Sequence, residues 1–307
     1  MKLLSIVLPS YNEERMIEKS ANVIGSLLQK EAISYEIIFV DDGSKDDTWR
    51  TITHTSENDA HIVGVHFSRN FGKEAAIMAG LAQAKGDCCV VMDCDLQHPP
   101  EKVVEMYRLW ESGYEIVEGV KSSRGQEGRI HKFCAKMFYN LLSKAVSIDM
   151  SRASDFKLLD RKAVDALLMM EEKNAFFRAL SSWIGFESIQ IEFDVQERQE
   201  GESKWSTKSL IKYAITNIAA FSTVPMQIVT FLGVVTFFFA IIMSVDTLVN
   251  YFKGTAATGF TTVILMLLFI GSIIMISLGI IGYYIAKIYE EIKCRPRYIV
   301  SKIVGNK

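Results

Sequence analysis

The sequence predicts an α/β domain on a mostly parallel sheet, followed by two membrane-crossing helices. Two observations predict it. Short apolar runs alternate with helix-like stretches from residue 3 to about residue 120, the pattern of successive right-handed βαβ units. Charged residues are spread evenly as far as Lys212, then vanish until Asp246 and again between Lys253 and Lys287. Each gap exceeds the roughly 20 apolar residues that span a bilayer core.

Residues 3–8 read as the first strand, closed by Pro9. Ser10-Tyr11-Asn12-Glu13 then has the form of a capping box opening a helix through Leu28. Residues 36–40 are a second strand, ending in Asp41-Asp42-Gly43-Ser44, and Asp46-Asp47-Thr48 caps the next helix. Residues 62–67 make a third strand, and a helix over 73–84 follows Asn70-Phe71-Gly72. The fourth strand, 88–92, runs straight into Asp93-Cys94-Asp95-Leu96-Gln97. A helix over 100–112, a strand over 115–120 and a further short strand over 156–159 complete this part. The first residues, Met1-Lys2-Leu3, are read as the start of a strand rather than as a signal peptide.

The expected division is a domain over 1–202, a juxtamembrane amphipathic helix over 203–222 and a membrane segment over 223–307. In the second part Leu210, Ile211 and Ile218 alternate with Lys208, Lys212 and Asn217, as in a helix lying in the membrane interface. The spans are placed at about 223–246 and 260–286. Their connector carries Lys253, whereas the tail after them carries Lys287, Lys293, Arg295, Arg297, Lys302 and Lys307. Positive residues stay in the cytoplasm, so both ends are expected there, at the plasma (inner) membrane. A net charge of −2 excludes a global nucleic-acid binder. Five cysteines (Cys88, Cys89, Cys94, Cys134 and Cys294) lack metal spacing and read as reduced, structural thiols.

Parallel strands share a direction, so the polar clusters after strands one, two and four converge on one rim, where open α/β sheets bind ligands. Asp93 and Asp95 offer two hard oxygen donors and Gln97 a third, suited to Mg²⁺ or Mn²⁺ shared with a phosphate. The competing reading is a solvated turn whose carboxylates cap the next helix. No glycine fingerprint of a dinucleotide site follows the first strand, and no P-loop is present.

Four blocks in order, Pro9-Ser10-Tyr11-Asn12-Glu13-Glu14, Val40-Asp41-Asp42-Gly43-Ser44, Ser68-Arg69-Asn70-Phe71-Gly72-Lys73 and Met92-Asp93-Cys94-Asp95-Leu96-Gln97, resemble glycosyltransferase family 2. Within it the chain is similar to the polyprenyl-phosphate glycosyltransferases, a group that includes bactoprenol glucosyltransferases and dolichol-phosphate mannose synthase. Asp155-Phe156-Lys157-Leu158-Leu159-Asp160 and Gly201-Glu202-Ser203-Lys204-Trp205-Ser206 match as well. Cys94 stands where the family usually has a small residue, and Trp205 where Tyr is common.

The resemblance implies a GT-A fold and the inverting, metal-dependent transfer of one hexose from a nucleotide sugar to undecaprenyl or another polyprenyl phosphate. UDP-glucose is the first choice of donor; UDP-N-acetylglucosamine, UDP-galactose, GDP-mannose and an aminoarabinose donor stay open. It also implies that Pro9, Tyr11, Glu13, Asp41 and Asp42 line the nucleoside pocket, with a turn cap the competing role for Asp42. Lys73 either touches the diphosphate or is a solvated lysine. Asp155 takes the family's candidate-base position or caps a loop, while Asp95 acts with Asp93 at the metal. An anionic acceptor needs cations, and Arg124, Arg129, Arg178, Arg198 and Lys204 are the candidates. A Gly- and Ser-rich stretch, 122–128, carries the first of them and looks like a lid. The Gln-x-x-Arg-Trp signature of processive synthases is not matched at 178–183, and two spans are few for a polymer channel. A non-catalytic scaffold or flippase subunit is disfavoured by the intact Asp93/Asp95 pair. The paired spans allow a homo-oligomer.

Overall fold

The computed structural model describes residues 2–122, 154–170, 172, 176–194, 224–254 and 259–305. The chain forms two units, Met1–Asn217 with Pro296–Lys307, and Ile218–Arg295.

In the first unit, β1 (Leu3–Ser10), β2 (Ser34–Asp41), β3 (Ile62–Phe67) and β4 (Cys88–Val91) alternate with α1 (Ile17–Lys30), α2 (Thr48–Asn58) and α3 (Lys73–Gln83). Then come α4 (Pro100–Glu111), β5 (Ile116–Lys121), β6 (Lys157–Asp160), α5 (Arg161–Met169), α6 (Phe177–Trp183) and β7 (Ser188–Phe193). After α7 (Val224–Phe252) and α8 (Phe260–Ile292) of the second unit, β8 (Val300–Val304) returns to the first. The eight strands form one sheet in the order β7-β5-β6-β4-β1-β2-β3-β8.

The centre of the sheet is parallel, β4-β1-β2-β3. Its strands are almost continuously buried, as expected of strands covered on both faces. α3 lies close on the sheet because Gly80 faces it: a Cβ there would stand 2.2 Å from Val7 Cγ1. That contact sets the height of α3, and therefore where Lys73, its first residue, is presented.

Two expectations change. First, α1 begins at Ile17 and not at the Ser10–Glu13 box. Asn12 takes a left-handed φ of 53° and spends its groups on the next loop: its N–H donates to Ser44 Oγ (2.8 Å) and its Oδ1 accepts from Lys45 N (2.9 Å). Glu13 N donates to Thr48 Oγ1 (2.9 Å). A capping box needs those groups for its own helix; here they knit the β1 and β2 loops together. The sheet is mostly parallel, as expected. β6 runs antiparallel to both β4 and β5, and β7 runs parallel to β5. Second, the basic tail does not stay with the membrane segment. β8 pairs antiparallel with β3 and covers what would be an open edge, while Tyr298 stacks on Phe67 (5.2 Å between centroids) and Ser68 N donates to Ile299 O (3.0 Å).

In the second unit, α7 and α8 contain stretches, Val229–Asn250 and Phe269–Ile292, long and apolar enough to cross a membrane by length and composition. α8 continues past the expected 286 to Ile292, because its last turns are polar and good helix formers, with Lys287 Nζ 3.3 Å from Glu290 Oε2. The expected helix over 203–222 and the stretch 122–128, beyond Ser122, lie outside the described residues.

Candidate active site

The carboxyl ends of the parallel strands bring the charged residues of the rim together. Asp93 follows β4; Lys73 opens α3, just after β3; Asp155 precedes β6; Arg178 sits in the first turn of α6. Lys73 Nζ reaches Asp93 Oδ1 (2.6 Å) and Asp155 Oδ2 (2.9 Å). Arg178 grips the same carboxylate with two bonds, Nε to Oδ1 at 2.7 Å and a terminal nitrogen to Oδ2 at 2.9 Å. The result is a chain of alternating charge, Asp93–Lys73–Asp155–Arg178, joining four elements.

The electrostatics follow from those contacts. Burial works to raise the Asp155 pKa, but the Arg178 and Lys73 charges overcome it and hold the carboxyl well below the usual carboxylate range. Asp93 behaves alike: burial opposes its charge, and the Lys73 ammonium beside it still lowers its pKa. Burial disfavours the Lys73 ammonium, yet Asp155 and Asp93 outweigh this and raise it above an ordinary lysine. Lys73 is therefore an ion-paired cation rather than a merely solvated one.

Asp95 is buried, with Oδ1 accepting from Gln97 N at 3.1 Å. A capping contact thus exists. The donor set suits a hard divalent ion: Asp93 is a third exposed, and Asp93, Asp95 and Gln97 offer oxygens only. Among the described residues no group of three or more His, Cys, Asp or Glu could by itself hold a metal. Two carboxylates and a carboxamide fit a cation whose other ligands come from substrate phosphate and water. Cys94 is buried and burial raises its thiol pKa, so it packs as a small apolar residue.

Of the residues expected at a nucleoside pocket, Pro9 pairs in register with Val40 at the end of β1, and Tyr11 and Glu13 lie in the loop beyond. Asp41 is fully buried; its Oδ2 lies 2.7 Å from His66 Nδ1 and its Oδ1 accepts from Ser44 N at 2.9 Å. Asp42 caps the loop after β3, accepting from Phe71 N (2.6 Å) and Gly72 N (2.9 Å). Burial nevertheless pushes its pKa up to about 6. The turn-cap role fits the Asp42 contacts, and through Gly72 it helps set the start of α3.

A family model described as glycosyl transferase family 2 matches residues 5–168. An uncharacterized glycosyltransferase, YkcC, of Bacillus subtilis (strain 168) is 38% identical over 98% of this chain and 94% of its own length. The chain belongs to glycosyltransferase family 2. The bactoprenol glucosyl transferase of Shigella phage SfII is 34% identical to this transferase, over 97% of each chain. The prophage bactoprenol glucosyl transferase homolog of Escherichia coli (strain K12) is also 34% identical, over 98% of this chain and 99% of that one. The fold overlays at a TM-score of 0.49 and 21% identity on glucosyl-3-phosphoglycerate synthase of Mycobacterium tuberculosis, over 71% of this chain and 77% of that one. That overlap is too loose to carry a role for any residue.

Of the expected acceptor-side cations, Arg178 is in the transferase's charged chain, while Arg124, Arg129, Arg198 and Lys204 lie outside the described residues. Two residues of the site were not singled out from the sequence. His98 accepts from Asp93 N at Nδ1 (3.2 Å) and stacks on Phe156 (4.7 Å), and burial lowers its pKa, so it is a neutral prop for the Asp93 backbone. Its only signal in the sequence is its place directly after Gln97.

Glu74 is the other. Its Oε2 accepts from Phe177 N (2.9 Å), and burial together with the Asp155 charge pushes its pKa up to about 7 from an ordinary 4.5. The native carboxyl keeps its proton where the unfolded chain has lost it, so stability falls as pH rises from about 4.5 to about 7. Glu74→Gln is expected to match the wild-type melting temperature at pH 4.5 and to exceed it at pH 8. The same difference at both pH values would reject the charge argument.

Proposed function

We propose that this transferase moves one hexose, glucose in the first place, from a nucleotide sugar, UDP-glucose in the first place, to undecaprenyl or a related polyprenyl phosphate. The reaction runs with inversion at the cytoplasmic face of the plasma membrane and depends on Mg²⁺ or Mn²⁺. The observation that carries the reading is the alternating chain Asp93–Lys73–Asp155–Arg178, which puts cations on both sides of one ionised carboxylate at the rim of the sheet. Relatives whose names state bactoprenol glucosyl transfer, alike over nearly the whole chain, support the acceptor class.

Inversion needs one displacement: an acceptor phosphate oxygen bonds to the anomeric carbon as the bond from that carbon to the donor diphosphate breaks. A lipid phosphate has its second pKa near 6, so at neutral pH it needs placing rather than deprotonating. Arg178, fixed by Asp155, presents a planar set of donors suited to a phosphate. Lys73, at the N-terminus of α3, stands where a helix favours an anion and takes the diphosphate side. Asp93 and Asp95, with Gln97 as a weaker third ligand, would hold the divalent cation, which when bound supplies charge neutralisation of the leaving diphosphate. Pro9, Tyr11 and Glu13 line the nucleoside pocket, and the buried Asp41 backs it, bonded to Ser44 N and His66. Arg124, Arg129, Arg198 and Lys204 supply the remaining acceptor-side charge.

The return of β8 to β3 supports two crossings, since chain on either side of the α7–α8 pair belongs to one sheet. The basic residues Lys293, Arg295, Arg297 and Lys302 after α8, against Lys253 in the connector, support a cytoplasmic site. The test is incubation of purified full-length protein in detergent or liposomes with undecaprenyl phosphate, Mn²⁺ or Mg²⁺, and each of the five labelled donors. Label extracted into organic solvent with UDP-glucose is the expected result. Label with another donor replaces the sugar, and no lipid product with any donor sinks the reading.

A further inference from the structure

Behind the charged chain lies an ion pair that the displacement does not touch. Lys157 Nζ is 3.0 Å from Glu118 Oε1, and the two residues are 1% and 8% exposed. Buried ion pairs of this kind seldom stabilise a fold beyond what packed apolar residues would. Its geometry shows a use.

Asp155 sits in a bend two residues before Lys157, the first residue of β6, and the side chains of both reach one face of α6. Phe156 O between them accepts from Gly119 N (2.8 Å), continuing the pairing with β5. On α6, Arg178, Ser181 and Ser182 are spaced i, i+3 and i+4 and share that face. The contact is made at two points. Arg178 holds Asp155, and Lys157 Nζ donates to Ser181 Oγ (2.9 Å) and Ser182 Oγ (3.3 Å). Those hydroxyls in turn donate to Arg178 O, at 3.3 and 3.0 Å. Glu118, which balances Lys157, is itself held from β7 by Gln190 (3.1 Å). A helix of seven residues has too few internal bonds to hold its own orientation, so its tethers matter: the buried Phe177, Ala179 and Leu180 and the Phe177 N bond to Glu74 seat it on the domain, and the contacts to Asp155 and Lys157 set the face that carries Arg178.

We propose that Lys157 is a positioning residue: through Ser181 and Ser182 it fixes the rotation and height of α6 and so aims the Arg178 guanidinium at Asp155 and the acceptor phosphate. The part concerning the acceptor rests on the function proposed above.

The test uses full-length protein carrying Ser181→Ala with Ser182→Ala, which cuts the bridge and leaves every charge in place. With undecaprenyl phosphate as the varied substrate, kcat/KM is expected to fall about tenfold, the scale on which small misplacement of an aligned group acts. KM for the nucleotide sugar and the affinity for UDP stay at wild-type values. A second variant, Lys157→Met with Glu118→Gln, removes both buried charges together and keeps side-chain volume; the same acceptor-specific loss is expected. Wild-type acceptor kinetics in a folded variant, or equal losses towards donor and acceptor, overturn the proposal. A crystal structure of the double alanine variant gives a readout apart from activity. Arg178 displaced from Asp155 supports the proposal, and an unchanged pair overturns it even if the wild type forms no lipid-linked sugar. That last failure would sink the acceptor reading instead.

Discussion

Asp93→Asn and Asp95→Asn are each expected to reduce transfer to background, a loss of roughly 10² to 10³-fold or more, the scale of removing one aligned group that stabilises developing charge. Neither change should unfold the domain. Asp93 is a third exposed, and its partner Lys73 keeps Asp155 when the Asp93 charge is gone. Asp95 is buried, but an asparagine oxygen accepts from Gln97 N as the carboxylate does now. Changes in stability should therefore stay within about 1 kcal/mol, and melting curves with the assay separate the effects. Mn²⁺ binding read by electron paramagnetic resonance, in the presence of UDP, should weaken in both variants. Chelation of the wild type should abolish transfer, and added Mn²⁺ or Mg²⁺ should restore it. Retained activity in both variants refutes the assignment of these carboxylates to the cation.

Much of the site was legible because strand ends are written in sequence as apolar runs breaking into polar clusters. That pattern placed Asp41, Asp42, Asp93 and Asp95 at the carboxyl ends of β2 and β4 without reference to any structure. Local patterns fail where a polar group's partner comes from a distant part of the chain. Asn12 and Glu13 have the spacing of a helix cap, yet their partners are Ser44, Lys45 and Thr48 in another loop. Val300–Val304 follows a long apolar helix and carries the basic residue Lys302, so charge alone assigned it to a membrane tail; only the uncovered edge of β3 makes it a strand. Lys157 lies in the Asp155–Asp160 block that resembles the family, but its pairing with Glu118 depends on β5 and β6 lying side by side, which sequence spacing does not encode. Glu74 gave no signal apart from standing next to Lys73, because its raised pKa is made by burial and by the Asp155 charge, both products of the fold.

Asp155→Asn tests what kind of group Asp155 is. A general base must lose and regain a proton near the working pH. Asp155 is poorly suited to that, because Arg178 and Lys73 overcome its burial and keep it ionised far below neutrality. Its geometry instead makes it the anion that holds two cations at fixed positions, one facing Asp93 and one on α6. The asparagine variant leaves those two cations beside a neutral amide. Breaking a buried pair costs about 3–5 kcal/mol; the lower end, about 3 kcal/mol, is expected because Lys73 and Arg178 are partly open to solvent. Transfer should fall at least about 10²-fold as both cations lose their placement. The pH profile separates the two roles. If Asp155 only places charge, the acid limb of kcat/KM follows the acceptor phosphate near pH 6. It should then stay at the same pH in the variant while the plateau drops. A limb that disappears in Asp155→Asn, with activity restored by an external base such as formate or azide, would identify Asp155 as the proton acceptor.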